Sequence, residues 1–435
     1  MASSSTLAEP QWLTARRERA VSLTGSLPLP SFRGNPGWEF TSLKKLDLDA
    51  YGEPEPRSVD ASGLGIIDAP DSAVLLEQVD HLYADGPERS ADGVIVMPLS
   101  VAVQEHPELV QRHFGTVVDA DDPFVARNEA NWQGGAFVYV PRGVSVADPI
   151  VVTVVQAQAQ TALHWRTLIV LEEDAQAEVW EQYVSAEESQ DALFSTVTEL
   201  SVGQNARLRF VCAQGLSEKS WIFGAQRAVI ERDGALDWIA LGFGGGDGRV
   251  AMDTQLAGPG ADAKVTGAYA TRGRQHLDYA TTQEHAAPNT TSDLAFRGIL
   301  DGRSHTVWSG MIKVDPGAQQ IDAFQESRNL LLTKTAHADS IPGLEILAND
   351  VRCTHAAAIA QIDPEQLYYL RSRGLPLERA KRLVIEGFLE ATVERFQPGF
   401  VREAVAGALE RRLEAVLGAD QTPDTTTPTS RARLA

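Results

Sequence analysis

Between Gly134 and Ile362 the chain is cut into short alternating apolar runs separated by Gly, Asn and Asp turns. This segmentation limits its folds more than any other feature. Phe137-Val138-Tyr139-Val140, Ile150 to Val155, Leu168 to Leu171 and Leu208-Arg209-Phe210-Val211 all carry strand character, and few segments there have helical periodicity. Three turns echo one another. Glu173-Asp174-Ala175, Gln204-Asn205-Ala206 and Asp233-Gly234-Ala235 each set a turn and an alanine before an alternating strand, about 30 residues apart. Turn-plus-strand units at near-constant spacing suit a stacked β-solenoid, in which each unit buries its neighbour's face. A β-sandwich would give a similar pattern.

The flanks differ. Residues 1–133 read as an N-terminal α/β domain. It holds a helix over Trp12 to Leu23, stopped by Leu27-Pro28-Leu29-Pro30, a buried strand at Gly93-Val94-Ile95-Val96-Met97, and a helix over Ser100 to Phe114. The β region is assigned to residues 134–362 and a C-terminal helical domain to 363–418. In the latter, Asp363-Pro364-Glu365 predicts an N-cap with proline at N1, and Gly374 predicts the helix stop. A second helix, Leu377 to Phe396, aligns Ala380, Leu383, Val384, Gly387, Phe388 and Ala391 on one stripe. A third, Val401 to Leu417, aligns Val401, Ala404, Val405, Ala408, Leu409 and Val416. Residues 419–435, rich in Thr, Pro and Asp, read as a disordered tail.

Charge narrows the function. The 38 basic against 59 acidic side chains leave a net charge of −21, which disfavours nucleic-acid binding. Two cysteines, Cys212 and Cys353, do not make a secreted disulfide framework and suit a reducing compartment. No basic-then-apolar signal sequence opens the chain, and no run is long enough to span a membrane. A cytoplasmic protein with neither nucleic-acid nor membrane partner is expected.

Candidate chemistry is sparse. Gly242-Phe243-Gly244-Gly245-Gly246-Asp247-Gly248 lacks both the P-loop lysine and dinucleotide-turn spacing, and reads as a flexible loop between strands. His285 reads as a hydrogen-bonded structural histidine. So do His305 and His337, which have no partner in sequence, and Cys212 reads as a small buried hydrophobe. Asn349-Asp350-Val351-Arg352-Cys353-Thr354-His355 is different. If it is a strand, as Ile346, Leu347 and Val351 suggest, the two-residue period sets Cys353 and His355 on one face, roughly 7 Å apart. The plain reading is a buried thiol beside a satisfied imidazole. Thiolate and imidazole are also soft metal ligands, and an iron–sulfur cluster needs about four of them. Such a pair supplies at most half of a site, with the rest on another protein.

These residues lie among motifs that resemble the SufD family, the scaffold subunits that join SufB and the ATPase SufC in SUF iron–sulfur cluster assembly. The motifs are Leu27-Pro28-Leu29-Pro30, Arg33, Trp38-Glu39-Phe40-Thr41, Glu129-Ala130 and Phe137 to Pro141. Further along come Gly310 to Val314, Asn329 to Leu332, Pro342 to Ile346, Val351 to His355, Leu367 to Gly374 and Glu386-Gly387-Phe388. SufB-type chains usually carry a Glu-His-Glu sequence in place of Cys-x-His, together with more cysteines. Ala356-Ala357 departs from the family, which more often has glycine there.

The resemblance implies a mainly β fold with flanking α: a right-handed parallel β-helix core between the N-terminal α/β and C-terminal helical domains. It implies a non-enzymatic scaffold in a SufB heterodimer, with SufC docked through Leu370, Arg373, Gly374, Leu383, Gly387 and Phe388. His355, with Cys353 beside it, would share a transient iron–sulfur cluster with SufB, no cofactor being held stably. Two other readings stand beside it. One is a cluster carrier pooling two Cys353–His355 pairs in a homodimer. The other is a β-helix carbohydrate-active enzyme, for which Asp121-Asp122 is the nearest acidic pair.

Overall fold

The computed structural model describes residues 9–31, 37–56, 59, 61, 63–83, 88–89 and 92–418. Arg33 and the segment 419–435 lie outside the described residues. Two ten-stranded sheets face each other, and from Gly134–Val140 onward successive strands alternate between them. Gln176–Ser185 pairs in parallel with Ile150–Gln156 and Arg207–Gly215 in the first sheet. The intervening Leu193–Val202 pairs in parallel with Ala162–Leu171 and Trp221–Ile230 in the second. That sorting is a parallel β-helix, and it decides against the sandwich, whose neighbours run antiparallel.

The predicted turns stack as the coil corners. Asp174, Asn205 and Asp233 all have positive φ, 61°, 54° and 54°, a conformation that Asn and Asp tolerate better than most residues. Each corner's N–H bonds to the next coil: Asp174 to Gln204 O, Asn205 to Arg232 O and Asp233 to Pro259 O. The third repeat sits one residue earlier than its alanine suggests. Arg207 registers with Ala235, so Gly234 takes the seat filled by Ala175 and Ala206. A Cβ on Gly234 would lie 3.0 Å from two carbonyl oxygens, Glu231 O and Gly203 O.

Inward-facing side chains fill the lumen as a continuous column that includes Trp165, Tyr183, Phe194, Phe210, Trp238, Tyr269, Phe296 and Trp308. Helices cover parts of the outside. Helix α1 (Gln11–Ser26), α2 (Leu99–Glu105), α3 (Pro107–His113) and α4 (Pro123–Asn131) belong to the N-terminal layer. The single helix expected over Ser100 to Phe114 is two, because Pro107 drives His106 out of helical geometry (φ −131°, ψ 48°). A buried charge cluster ties this layer to the β-helix. Glu199 accepts from Arg166 Nη2 (3.0 Å) and from the backbone N–H groups of Gly115, Val117 and Val118. Arg166 also reaches Glu129, which holds Arg16 of α1.

At the other end, α5 (Pro364–Ser372), α6 (Leu377–Val393) and α7 (Phe400–Leu417) follow the last strand. Asp363 caps α5 by accepting from Glu365 N (2.9 Å), and Gly374, with φ 94°, ends it, as the sequence predicts. Ile385, Leu389, Val405, Leu409 and Leu413 share one apolar cluster with Val211, Ile239, Leu241 and Ile299 on the first sheet's outer face. The α6 stripe is therefore rotated from the predicted one: Ala380, Ile385, Leu389 and Thr392 are buried, while Leu383 and Gly387 are exposed.

The two ends of the β-helix are built differently. At the start, Ile95–Pro98 pairs antiparallel with Gly134–Val140, and Leu82–Tyr83 with Val74–Val79, closing both sheets. At the finish, His337–Ile346 and Val351–Gln361 each have one ladder neighbour, and nothing among the described residues stacks on the other side.

Candidate functional site

The open end of the β-helix is the most unusual surface of the molecule. A long unpaired strand leaves a row of N–H and C=O groups without partners, and natural proteins normally blunt or cover such edges. Here there are two, one from each sheet. Leu344 and Ile346 of one strand, Ile359 of the other, and Leu347 in the turn between them are exposed. Pro342 is tolerated because its strand is an edge.

Cys353 and His355 lie on this surface. The strand begins at Val351, while Ile346 ends the preceding strand in the other sheet, so Asn349 and Asp350 belong to the turn. Val351, Cys353 and His355 register with Ile321, Ala323 and Gln325 of the coil beneath, all three buried in the lumen. The shared parity points them along the column's last, uncovered layer. Cys353 is half-buried against Ile321 and Ala323. Burial, followed by the Asp322 carboxylate, pushes its thiol up, so it is protonated at neutral pH. His355 is exposed. The imidazole is the accessible donor, and the thiol packs behind it.

The helical candidates divide. Leu370, Leu383, Val384 and Gly387 line an open groove of about 550 Å³ between α5 and α6, and Tyr368 and Tyr369 stand exposed nearby. Arg373 stacks on Tyr369 (5.2 Å), and Gly374 forms the corner after α5. Phe388 faces away from the groove. It packs against the sheet-facing cluster, with Arg297 over its ring.

Other residues resolve cleanly. His285 is buried between Thr290 Oγ1 (2.7 Å) and Ser292 Oγ (2.9 Å), and burial lowers it to about 4, as a structural histidine requires. Cys212 is buried in the lumen and pushed up to about 12. Asp122 caps α4 by accepting from Phe124 N and Val125 N. The glycine-rich segment is not a flexible loop. A Cβ on Gly244, Gly246 or Gly248 would fall within 2.4 Å of backbone on the preceding coil, and successive N–H groups are bonded to that coil. These glycines permit close coil stacking. The sequence reading missed one grouping: His305 and His337, one coil apart, meet around Asp339. The corner spacing that predicted the coils was the signal that could have found it.

The described chain is thus a closed-start, open-ended β-helix that carries an exposed imidazole among unpaired strand edges. The chain belongs to the SufBD family of SUF-system iron–sulfur cluster assembly proteins: residues 153–388 match the SufBD core domain and 72–152 the SufBD protein N-terminal region. It is 31% identical to the iron–sulfur cluster assembly protein SufD of Bacillus subtilis, over 93% of this chain and 95% of that protein. It is 26% identical to SufB of the same organism, over 88% and 85%. A SufBD family protein of Mycobacterium leprae is 31% identical, over 67% and 75%. Among the described residues, no helix is long and apolar enough to cross a membrane.

Proposed function

We propose that this chain is the SufD-type scaffold of a cytoplasmic SUF complex, which pairs with SufB through the open end of the β-helix. The carrying observation is the uncovered last coil, where two unpaired strands flank the exposed His355. Strand addition across such edges forms main-chain hydrogen bonds and buries Leu344, Ile346 and Ile359 together. His355 is then a donor to a transient cluster completed by SufB ligands, with Cys353 the weaker candidate because its thiol is held protonated. The α5–α6 groove, through Leu370, Leu383 and Gly387, is the surface offered to SufC. Phe388 serves that surface indirectly by seating α6. In this reading the chain does no chemistry of its own and transmits SufC movements along a rigid column to the SufB junction.

The test is co-expression with SufB and SufC from the same genome, followed by anaerobic cluster assembly. Wild type should give a stable complex that builds a cluster, and His355→Ala a stable complex that does not. A stoichiometric, stable cluster on the isolated chain would favour the homodimeric carrier instead.

A further inference from the structure

On the second sheet's outer face, three histidines occupy the first position of three successive strands. His276, His305 and His337 share one register, with ring centroids 4.8 and 5.1 Å apart. His276 Nδ1 lies 3.1 Å from His305 Nδ1, and His276 Nε2 lies 3.0 Å from Thr41 Oγ1. On the far side, Asp339 Oδ2 lies 2.7 Å from His305 Nε2 and 3.4 Å from His337 Nε2. Donor atoms of His305, His337 and Asp339 all fall within 4.8 Å of one another.

Counting protons along this chain shows which contact can take a cation. Thr41 has one hydroxyl proton, and Asp278 Oδ2, paired with Arg249, accepts it at 2.6 Å. Thr41 Oγ1 must then accept from His276 Nε2–H, which leaves His276 Nδ1 a lone pair. His305 must donate to it from Nδ1. The remaining His305 nitrogen, Nε2, faces the Asp339 carboxylate oxygen 2.7 Å away, and His337 closes the third side. A second proton on His305 or a cation held between these groups satisfies the contact equally.

We propose that His305 Nε2, His337 Nε2 and Asp339 bind one divalent first-row transition ion, with His276 and Thr41 fixing the His305 tautomer from behind. Ions of this class bind imidazole and carboxylate at about 2.0–2.2 Å, so neighbouring donors stand roughly 3 Å apart, near the 2.7 and 3.4 Å that Asp339 already keeps from the two imidazoles. Two histidines and one carboxylate leave coordination positions open for solvent or a further ligand. His276 Nδ1 behind His305 supplies the acceptor that a ligating histidine's other N–H needs. This site is separate from His355, which faces the lumen end of the other sheet, and it does not depend on the scaffold reading.

The test uses the full chain without a histidine tag, stripped with chelator and titrated anaerobically with Co²⁺. Visible d–d absorption and calorimetry follow binding, and far-ultraviolet circular dichroism confirms folding. Wild type should bind one Co²⁺ per chain, and His337→Ala and Asp339→Asn, both at accessible positions, should each weaken binding at least about tenfold. Thr41→Val should weaken it while leaving stoichiometry intact, and His355→Ala should leave it unchanged. Absence of saturable binding below millimolar Co²⁺ overturns the proposal. So does binding that survives both His337→Ala and Asp339→Asn, or that is lost in His355→Ala instead.

Discussion

Gln325 and His355 hold the same register position on neighbouring coils, yet the first is sealed in the lumen and the second stands in solvent. The Gln325 amide donates across the column to Gly310 O (3.3 Å) and Gly343 O (3.1 Å). Above His355 no further coil is formed by the described residues. One step along the β-helix axis converts a structural seat into an accessible donor.

His355→Ala should therefore be thermodynamically quiet. Exposed substitutions usually fall within about 0.5 kcal/mol, so chemical denaturation should superimpose on wild type while cluster assembly by the complex fails. A fall in stability of 2 kcal/mol or more, about what a buried side chain's loss costs, would assign the imidazole to packing.

Two substitutions on α6 should separate partner binding from seating. Leu383 is 46% exposed and lines the groove, so Leu383→Asp should lower SufC affinity with little effect on melting. Phe388 packs toward the sheet beneath Arg297. Phe388→Asp buries a charge there and should destabilise the α6–α7 layer by about 2–4 kcal/mol, read as an earlier, separate unfolding step. Equal effects of the two on melting would contradict the division.

Much of this architecture was readable from residues. Corner turns at near-constant spacing pointed to coils while leaving a sandwich open, and Asp363, Pro364 and Gly374 gave the limits of α5. What escaped was information held between coils. Gly234 replaces alanine because two carbonyls crowd it, and the α6 stripe is set by which sheet residues lie beneath. The histidine ladder is invisible locally, since its members sit one coil apart and only stacking joins them. The open end likewise follows from where the described strands stop, not from any motif within the last coil.

Glu199 should be costly to remove. It is fully buried, pairs with the fully buried Arg166 and caps the backbone of 115–118. Glu199→Ala leaves a buried guanidinium short of its counter-charge and should cost about 3–5 kcal/mol. A urea midpoint that falls with unchanged slope checks this.

Acid should weaken the fold through the buried His285 and the half-buried His164. Burial lowers His285 and His164 to about 4, against 6.5 for the ordinary group. Between those values the unfolded chain binds protons that the native state refuses, so stability is lost as pH falls from about 6.5 towards 4. Each group contributes roughly 1–2 kcal/mol of that loss by about pH 5. His285→Asn should flatten the pH dependence relative to wild type, and an unchanged slope would remove His285 from the account.

If another subunit completes the last coil, amide hydrogen exchange will register it strand by strand. Exchange is followed in His337–Ile346 and Val351–Gln361 before and after SufB is added. Outward-facing amides of both strands should slow markedly in the complex while the closed starting strands stay unchanged. A complex that forms with both edge strands exchanging as fast as before would contradict the account.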